Sequence, residues 1–287
     1  MYDAWDMDIF YTQKYEDAKL ESVSCTEDGP LRLKLKFTYT YRASRFEQEM
    51  VVYSGSRRID FMTHAQWQED HRLLRSIFEV DVRATKATYD VQFGHVERPT
   101  HWNTSWDWAR FEVCGHKWAD LSESNYGVSL LSDCKYGYSV KGNVMGISLL
   151  KSSKNPDTHA DMGEHDFTYS LLPHEGCLGA QTVEEAISLN QQVLCVPGAL
   201  QAGAVLKKDC AGVKIDAIKP AEDGDGFVVH MHECMGGRAS VTLCSDYPIR
   251  AYAPCNLLEE YETKTEGVQI SADFRPFEIK CFRIWNV

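Results

Sequence analysis

Short segments with an apolar residue at every second position dominate this chain. The clearest runs from Leu31 to Tyr39, where leucines and aromatic residues alternate with basic residues and threonine. This period of two places the apolar side chains on one face of a β-strand and the lysines on the other. Further strands are predicted at residues 46–53, 58–67, 77–82, 87–93, 118–121, 127–131, 139–141, 144–150, 166–172, 227–232, 239–244 and 278–285.

The connections between these strands predict the fold class. Turn-forming clusters such as Asp28-Gly29-Pro30 and Lys141-Gly142-Asn143 separate the strands. Many short strands, tight turns and no regular strand–helix alternation predict an all-β protein with antiparallel sheets packed as a sandwich. The best helix is expected from Thr182, as N-cap with Glu185 at the capping-box position, to Asn190, as a short connector. A polar cluster at residues 219–226 predicts a large domain over 1–218 and a small β domain over 219–287.

Composition narrows the classes of partner. The formal net charge is −12, which argues against nucleic acid or an anionic membrane as partner, whereas a neutral glycan is compatible with it. No apolar run approaches the roughly 18 residues of a membrane helix, and the acidic start of the chain lacks the features of a secretory signal. The ten cysteines are scattered without a Cys-x-x-Cys pair, which is typical of reduced cysteines in a cytoplasmic protein.

The stretch from Gln92 to Gly137 carries the strongest chemical signal. It contains Trp102, Trp106, Trp108 and Trp118 among histidine, asparagine, arginine and aspartate side chains. Flat aromatic faces beside groups that donate and accept hydrogen bonds are what a sugar-binding wall requires.

The sequence of this stretch resembles the C-terminal β region of glycoside hydrolase family 38 α-mannosidases, in particular the cytosolic type and its bacterial relatives. The motifs that carry the resemblance follow the family's order along nearly the whole chain. They are Asp3-Ala4-Trp5-Asp6, Gln92-Phe93-Gly94-His95, the tryptophan-rich block, Leu131-Ser132-Asp133-Cys134-Lys135-Tyr136-Gly137, Asp161-Met162-Gly163-Glu164-His165-Asp166 and Arg275-Pro276-Phe277-Glu278.

The resemblance implies a fold and a division of labour. The large part is expected to form a galactose mutarotase-like β-supersandwich, followed by a small terminal sandwich. In the family, the zinc ligands and the aspartate nucleophile belong to an N-terminal barrel whose opening motif this sequence lacks. We therefore expect no catalytic residue, no metal ligand and no cofactor in this chain, and zinc in the missing barrel.

The implied function belongs to a full-length enzyme. That enzyme would be a zinc-dependent retaining α-mannosidase that hydrolyses α-linked mannose in glycans, whereas this chain alone would be inactive. The chain would brace the barrel and form part of the carbohydrate-binding rim. Its expected partners are the barrel of the same enzyme and mannose-containing glycans. A face left open by the missing barrel also leaves homo-oligomers as an expectation.

Two groups of residues are candidates for the substrate rim. His101, Asn103 and Trp106 follow Pro99 on a predicted loop, and Asp133, Lys135 and Tyr136 form the second group. The alternative for Asp133 is a surface ion pair with Lys135. For the loop, the alternative is that its aromatic side chains fill the junction with the barrel. We favour this alternative for Trp102 and Trp108, and we favour a function in sugar binding for His101 and Asn103. The other carboxylates of the block, Asp107, Glu112 and Asp120, do not match the family's nucleophile or acid.

Two histidine patterns are weak candidates for metal sites. His159-Ala160-Asp161 lies in a polar, proline-containing stretch rather than on an apolar strand. His230 and His232 have a spacing that can chelate zinc on a strand, but no third ligand is evident nearby.

Three rival functions remain open at the level of sequence. The chain could be a free-standing carbohydrate-binding module, or a scaffold that never touches sugar. Mutarotase activity is the most distant, because it needs an acid and a base that the sequence does not locate.

Overall fold

The structure, a computed structural model, describes residues 3–191, 193–199 and 203–286 of the 287-residue chain. Strands are the dominant regular secondary structure of these residues, which confirms the predicted all-β class. The strands of the first part are β1 (Lys19–Asp28), β2 (Arg32–Tyr41), β3 (Ser44–Tyr53), β4 (Ile59–Trp67), β5 (Leu73–Glu79), β6 (Lys86–Val91), β7 (Gly94–Pro99), β8 (Val113–Cys114), β9 (Trp118–Ser122), β10 (Tyr126–Ser132), β11 (Gly137–Lys141), β12 (Val144–Lys151) and β13 (Gly163–Glu175). Those of the second part are β14 (Lys207–Lys208), β15 (Val213–Pro220), β16 (Phe227–Glu233), β17 (Ala239–Cys244), β18 (Ile249–Cys255), β19 (Thr265–Glu266), β20 (Ile270–Phe274) and β21 (Ile279–Asn286). The helical segments described are a 3-10 helix at Ile9–Gln13 and the α-helices α1 (Ser105–Trp108) and α2 (Ala180–Asn190).

Contacts divide the chain into two compact units. The first is Met1–Asp90 with Val96–Gln192, and the second is Val91–His95 with Val193–Val287. The sequence-based boundary between residues 218 and 219 differs from this division. It falls inside β15, whose ladder to β16 runs without interruption past that point from Ala217 to Pro220.

Two antiparallel sheets build the first unit. One has nine strands in the order β1-β2-β3-β4-β13-β10-β9-β6-β7, and the other has four in the order β5-β12-β11-β8. Side chains from both sheets form one apolar core, which includes Trp67, Tyr89, Leu130, Tyr138 and Ile147. The core is therefore a face-to-face packing of sheets, as the alternating sequence pattern requires.

Strand β2 shows how the alternation works. Its lysines lie on the charged face, where Lys34 Nζ is 3.3 Å from Glu49 and Lys36 Nζ is 2.7 Å from Glu47 on β3. Its leucine and aromatic side chains occupy the opposite face. The predicted strand from Leu31 to Tyr39 is confirmed, with slightly later bounds.

Helix α2 differs from its prediction in both start and role. It begins after Gly179, which makes no side-chain cap, rather than at Thr182. Thr182 is instead buried within the helix, and its hydroxyl lies 2.9 Å from that of Ser129 on β10. The helix packs on the sheet through its buried residues Val183 and Ala186, so it is not a mere connector.

The second unit is a smaller sandwich. A three-stranded sheet, β14-β17-β20, accompanies a five-stranded sheet, β15-β16-β21-β18-β19. Their shared core includes Val229, Met231, Leu243, Ile270 and Ile284, all with little or no exposure. This confirms the predicted terminal β-sandwich.

Candidate functional site

The tryptophan-rich loop is organised by a capped turn of helix. Thr104 and Asp107 form a capping box at the start of α1: Asp107 N donates to Thr104 Oγ1 at 3.1 Å, and Thr104 N donates to Asp107 Oδ2 at 3.2 Å. His101 Nδ1 lies 3.6 Å from the same carboxylate. Asp107, one of the candidate carboxylates, therefore holds the loop in shape.

The first group of rim candidates faces solvent. The side chain of Trp106 is 74% exposed, Asn103 is exposed, and the side chain of His101 is 43% exposed. Trp102 is more covered, because Lys141 Nζ lies 3.7 Å from its ring centroid. The side chains of His101, Asn103 and Trp106 are therefore accessible to another molecule.

The second group lies on the turn between β10 and β11. Asp133 is fixed to β13, since its Oδ2 accepts from Thr168 N at 2.8 Å and its N donates to Thr168 O at 3.1 Å. Lys135 Nζ lies 4.7 Å from the ring centroid of Phe167, and among the described ion pairs none joins it to Asp133. Partial desolvation, together with the hydrogen bond and charge of the adjacent Asp133 carboxyl, raises the pKa of the Cys134 thiol to about 11.

The two groups lie at opposite ends of β11. Tyr136 directly precedes Gly137, where the strand begins, whereas Trp102 packs on Lys141, where it ends. At about 3.4 Å per residue, a strand of this length separates its ends by roughly 13 Å. The sequence candidates therefore form two patches, one at each end of β11, rather than one cluster.

Glu112 is the best-positioned carboxylate near Tyr136. It accepts from Tyr11 Oη at 2.9 Å, pairs with Arg75 at 3.3 Å, and accepts a short hydrogen bond from Ser148 Oγ. The side chains of Arg75 and Glu112 are only 11% and 12% exposed. Arg75 also donates to Tyr11 Oη at 2.7 Å, which closes the network.

Sequence reasoning missed Arg75 and Tyr11. Neither lies in the aromatic block, and their separation from Glu112 along the chain leaves no local signal. Burial raises the pKa of Tyr11 above its ordinary range, so the phenol stays a hydrogen-bond donor to Glu112.

A buried cluster around Asp120 has the composition of a catalytic triad but not its arrangement. Asp120 Oδ2 accepts from Ser129 Oγ at 2.7 Å and lies 2.7 Å from His174 Nε2. The serine therefore contacts the carboxylate rather than the imidazole that would have to activate it. Since Asp120, His174 and Ser129 are all almost fully buried, the cluster secures the sheet.

The histidine patterns make other contacts. His230 Nδ1 lies 2.9 Å from Cys281 Sγ, and His232 Nδ1 lies 2.8 Å from Asp216 Oδ2. Asp161, the last residue of the His159-Ala160-Asp161 pattern, accepts from Lys151 N at 2.8 Å. Within the described ranges, no group of three or more His, Cys, Asp or Glu side chains has the geometry to hold a metal ion.

Two family models match the chain. The one described as "Glycosyl hydrolases family 38 C-terminal domain" matches residues 1–159, which is more than half of the chain. The one described as "Glycosyl hydrolases family 38 C-terminal beta sandwich domain" matches residues 212–282. The chain belongs to glycoside hydrolase family 38. The resemblance read from the sequence motifs is thereby confirmed.

Similar proteins agree with this assignment. Alpha-mannosidase G of Dictyostelium discoideum is 42% identical, alpha-mannosidase 2C1 of Homo sapiens 36% and the alpha-mannosidase of Saccharomyces cerevisiae 31%, over 98%, 97% and 98% of this chain. The chain spans only 28%, 28% and 30% of those proteins. It therefore corresponds to less than a third of each relative.

A solved structure supports the fold. The crystal structure of an α-mannosidase from Enterococcus faecalis superposes with a TM-score of 0.76 at 17% identity, covering 93% of this chain and 35% of that one.

In the part of the chain that the structure describes, no helix has the length and apolar character needed to cross a membrane.

Proposed function

We propose that this chain is the C-terminal β portion of an α-mannosidase that hydrolyses α-linked mannose in glycans. The observation that carries the proposal is that both C-terminal family models match a chain that spans only 28–30% of the length of the three α-mannosidase relatives named above. The remaining length of such an enzyme would supply the catalytic barrel, and this chain would brace it.

The reacting groups would belong to the barrel. A retaining glycosidase needs two carboxyl groups flanking the scissile bond, one of which acts as nucleophile. In this chain three of the four carboxylates of the aromatic block make structural contacts: Asp107 caps a helix, Asp120 lies in a buried cluster, and Asp133 is fixed to β13. Zinc, which by resemblance contacts the sugar, would likewise be held by the barrel.

The contribution of this chain would be part of the carbohydrate-binding rim. Exposed His101, Asn103 and Trp106 at one end of β11, and Tyr136 at the other, present aromatic faces and polar groups to solvent. Such surfaces suit neutral sugars. The barrel of the same enzyme and mannose-containing glycans would be the partners.

A cytoplasmic location fits the same proposal. All ten cysteines are free, including the exposed Cys25, Cys114 and Cys177. Free thiols are typical of a reducing compartment.

A chimera tests the proposed function. The matched C-terminal region of the Dictyostelium relative would be replaced by this chain, and hydrolysis of an aryl α-mannoside measured. We expect turnover that is lost when the chain is omitted. A folded, soluble chimera without turnover would contradict the proposal.

The same chimera tests the alternative that this chain is a scaffold with no contact to sugar. If it is a scaffold, replacing His101 or Asn103 by alanine would change thermal stability only. A change in KM with unchanged stability favours the rim.

A further inference from the structure

A pocket of about 340 Å³ lies next to the Glu112 network. It is lined by Met7, by residues 111–114, and by Tyr136 and Gly137. We call it the Tyr136 pocket. All of its lining belongs to the first compact unit, so a single folded body forms it.

Two aromatic rings form walls of the Tyr136 pocket. The side chain of Tyr136 is 56% exposed, and its ring meets that of His116 edge-on, with centroids 5.9 Å apart and an interplanar angle of 77°. Phe111 is positioned by Tyr11, with ring centroids 6.0 Å apart. Each ring is therefore held by a neighbour while part of the Tyr136 ring stays open to solvent.

A fixed hydrogen-bond acceptor completes the lining. The carboxylate of Glu112 is oriented by Tyr11, Arg75 and Ser148 and is nearly buried. A carboxylate has about four lone-pair sites, so three donors leave capacity for one more. Because its orientation is already set, a ligand hydroxyl would not have to order it.

We propose that the Tyr136 pocket binds one neutral pyranose, with the sugar ring against the exposed face of Tyr136 and a hydroxyl donating to Glu112. This deepens the proposed function and rests on it for the choice of sugar, since the parent enzyme would act on mannosides. It assigns a subsite to Phe111 and Glu112, which the rim candidates read from the sequence did not include.

Other ligand classes fit the lining less well. The Glu112 carboxylate and the net charge of −12 disfavour an anion. Arg75 already supplies the counter-charge to Glu112, which leaves little demand for a cation. A purely apolar ligand would cover the carboxylate without a hydrogen bond, which is unfavourable.

Direct titration of the 287-residue chain tests the proposal. Methyl α-mannopyranoside would be titrated into the wild type, Tyr136→Ala and Tyr136→Leu, with saturation-transfer NMR as readout. Tyr126→Ala is the matched control, because Tyr126 is also exposed, at 38%, but does not line the pocket. Far-UV circular dichroism confirms that each variant is folded, and cyclohexanol serves as a six-membered ring that carries one hydroxyl in place of the sugar's several.

The expected result is saturable mannoside binding that both Tyr136 variants weaken by about tenfold, the scale of one aromatic contact. Leucine keeps an apolar side chain but lacks a flat face, so it should not rescue binding. Tyr126→Ala should bind as the wild type does, and cyclohexanol should bind more weakly.

The proposal is overturned if the folded wild type shows no saturable binding, if the Tyr136 variants bind as tightly as the wild type, or if cyclohexanol binds as well as the sugar. These failures are separate from failure of the proposed function. An inactive chimera with pocket binding intact would reject the function alone, and an active chimera without pocket binding would reject the pocket alone.

Discussion

Phe277 occupies the space that a side chain on Gly94 would need. A Cβ on Gly94 would lie 2.7 Å from Cδ1 of the Phe277 ring, and the ring of His95 stands perpendicular to that ring at 5.1 Å. These residues come from two distant motifs of the family resemblance, Gln92-Phe93-Gly94-His95 and Arg275-Pro276-Phe277-Glu278. Residues from both motifs therefore pack against each other within the second compact unit.

Replacing Gly94 by alanine tests this contact. A Cβ at 2.7 Å from an aromatic ring forces the ring to move, so we expect Gly94→Ala to lower the free energy of unfolding by about 1–3 kcal/mol. Gly237→Ala is the control, because a Cβ there would meet no atom within 4 Å and the change should stay within about 0.5 kcal/mol. Urea unfolding measures both. Equal effects would show that Phe277 does not restrict Gly94.

The buried ion pair between Arg58 and Asp60 gives a second prediction. Asp60 Oδ1 accepts from Arg58 Nε at 2.8 Å and from Ser170 Oγ at 2.7 Å, and the side chains of Arg58 and Asp60 are 13% and 7% exposed. Asp60→Ala leaves a largely buried guanidinium with less compensation, so a loss of about 3–5 kcal/mol is expected.

An exposed pair serves as control for that measurement. Glu27 and Arg32 pair at 2.7 Å but are 39% and 40% exposed, so Glu27→Ala should cost about 0–1 kcal/mol. If chemical unfolding of Asp60→Ala gave a loss as small as this, the structural role assigned to Asp60 would be wrong.

The pH dependence of stability is predicted to report on His174. Burial disfavours its protonation, but the hydrogen bond and charge of Asp120 outweigh burial and raise its pKa above 6.5. A histidine whose pKa is higher in the folded than in the unfolded protein stabilises the folded state. This stabilisation is complete when the pH is below the pKa of the unfolded state, and it is lost as the pH rises through the pKa of the folded state.

His174→Gln isolates this contribution. Glutamine keeps an N–H donor for Asp120 but does not titrate, so the difference in unfolding free energy between wild type and variant should shrink as pH rises above about 6.5. Urea unfolding from pH 5 to pH 9 measures it. A difference that stays constant across this range would refute the protonated pair.

Cys134 gives a prediction about reactivity. Partial desolvation and the carboxyl of Asp133 raise the pKa of this thiol to about 11. Asp133→Asn removes the charge, so the pKa should fall and alkylation by iodoacetamide at pH 8 should become faster, because the thiolate is the nucleophile. Mass spectrometry of Cys134, with Cys25 of the same sample as reference, measures the rate. An unchanged or slower rate would contradict the assigned influence of Asp133.

The alternation of apolar and polar residues predicted most strands, but β15, β18 and β20 were missed. Strand β2 alternates cleanly because its lysines pair with β3 on one face while its apolar side chains occupy the other. Strand β1 was missed since it is exposed along nearly all its length, so no burial pattern marks it. The predicted strand at 77–82 is displaced: β5 spans Leu73–Glu79, and the register with β12, not its own alternation, sets those bounds.

The candidate site was partly predictable. The aromatic block contains Tyr136, which was a rim candidate, and Glu112, which was not. The partners of Glu112 come from residues far away in the sequence, Tyr11 and Arg75, and only the folded sheet brings them together. The separation of the candidates into two patches likewise follows from the direction of β11, which a one-dimensional pattern does not contain.

In the proposed enzyme, the reacting carboxylates and the metal belong to polypeptide outside this chain. Turnover of an aryl α-mannoside by the purified 287-residue chain, with and without added zinc, measures it most directly. The account predicts no turnover above the buffer rate in either condition. Robust, zinc-stimulated turnover by this chain alone would contradict it.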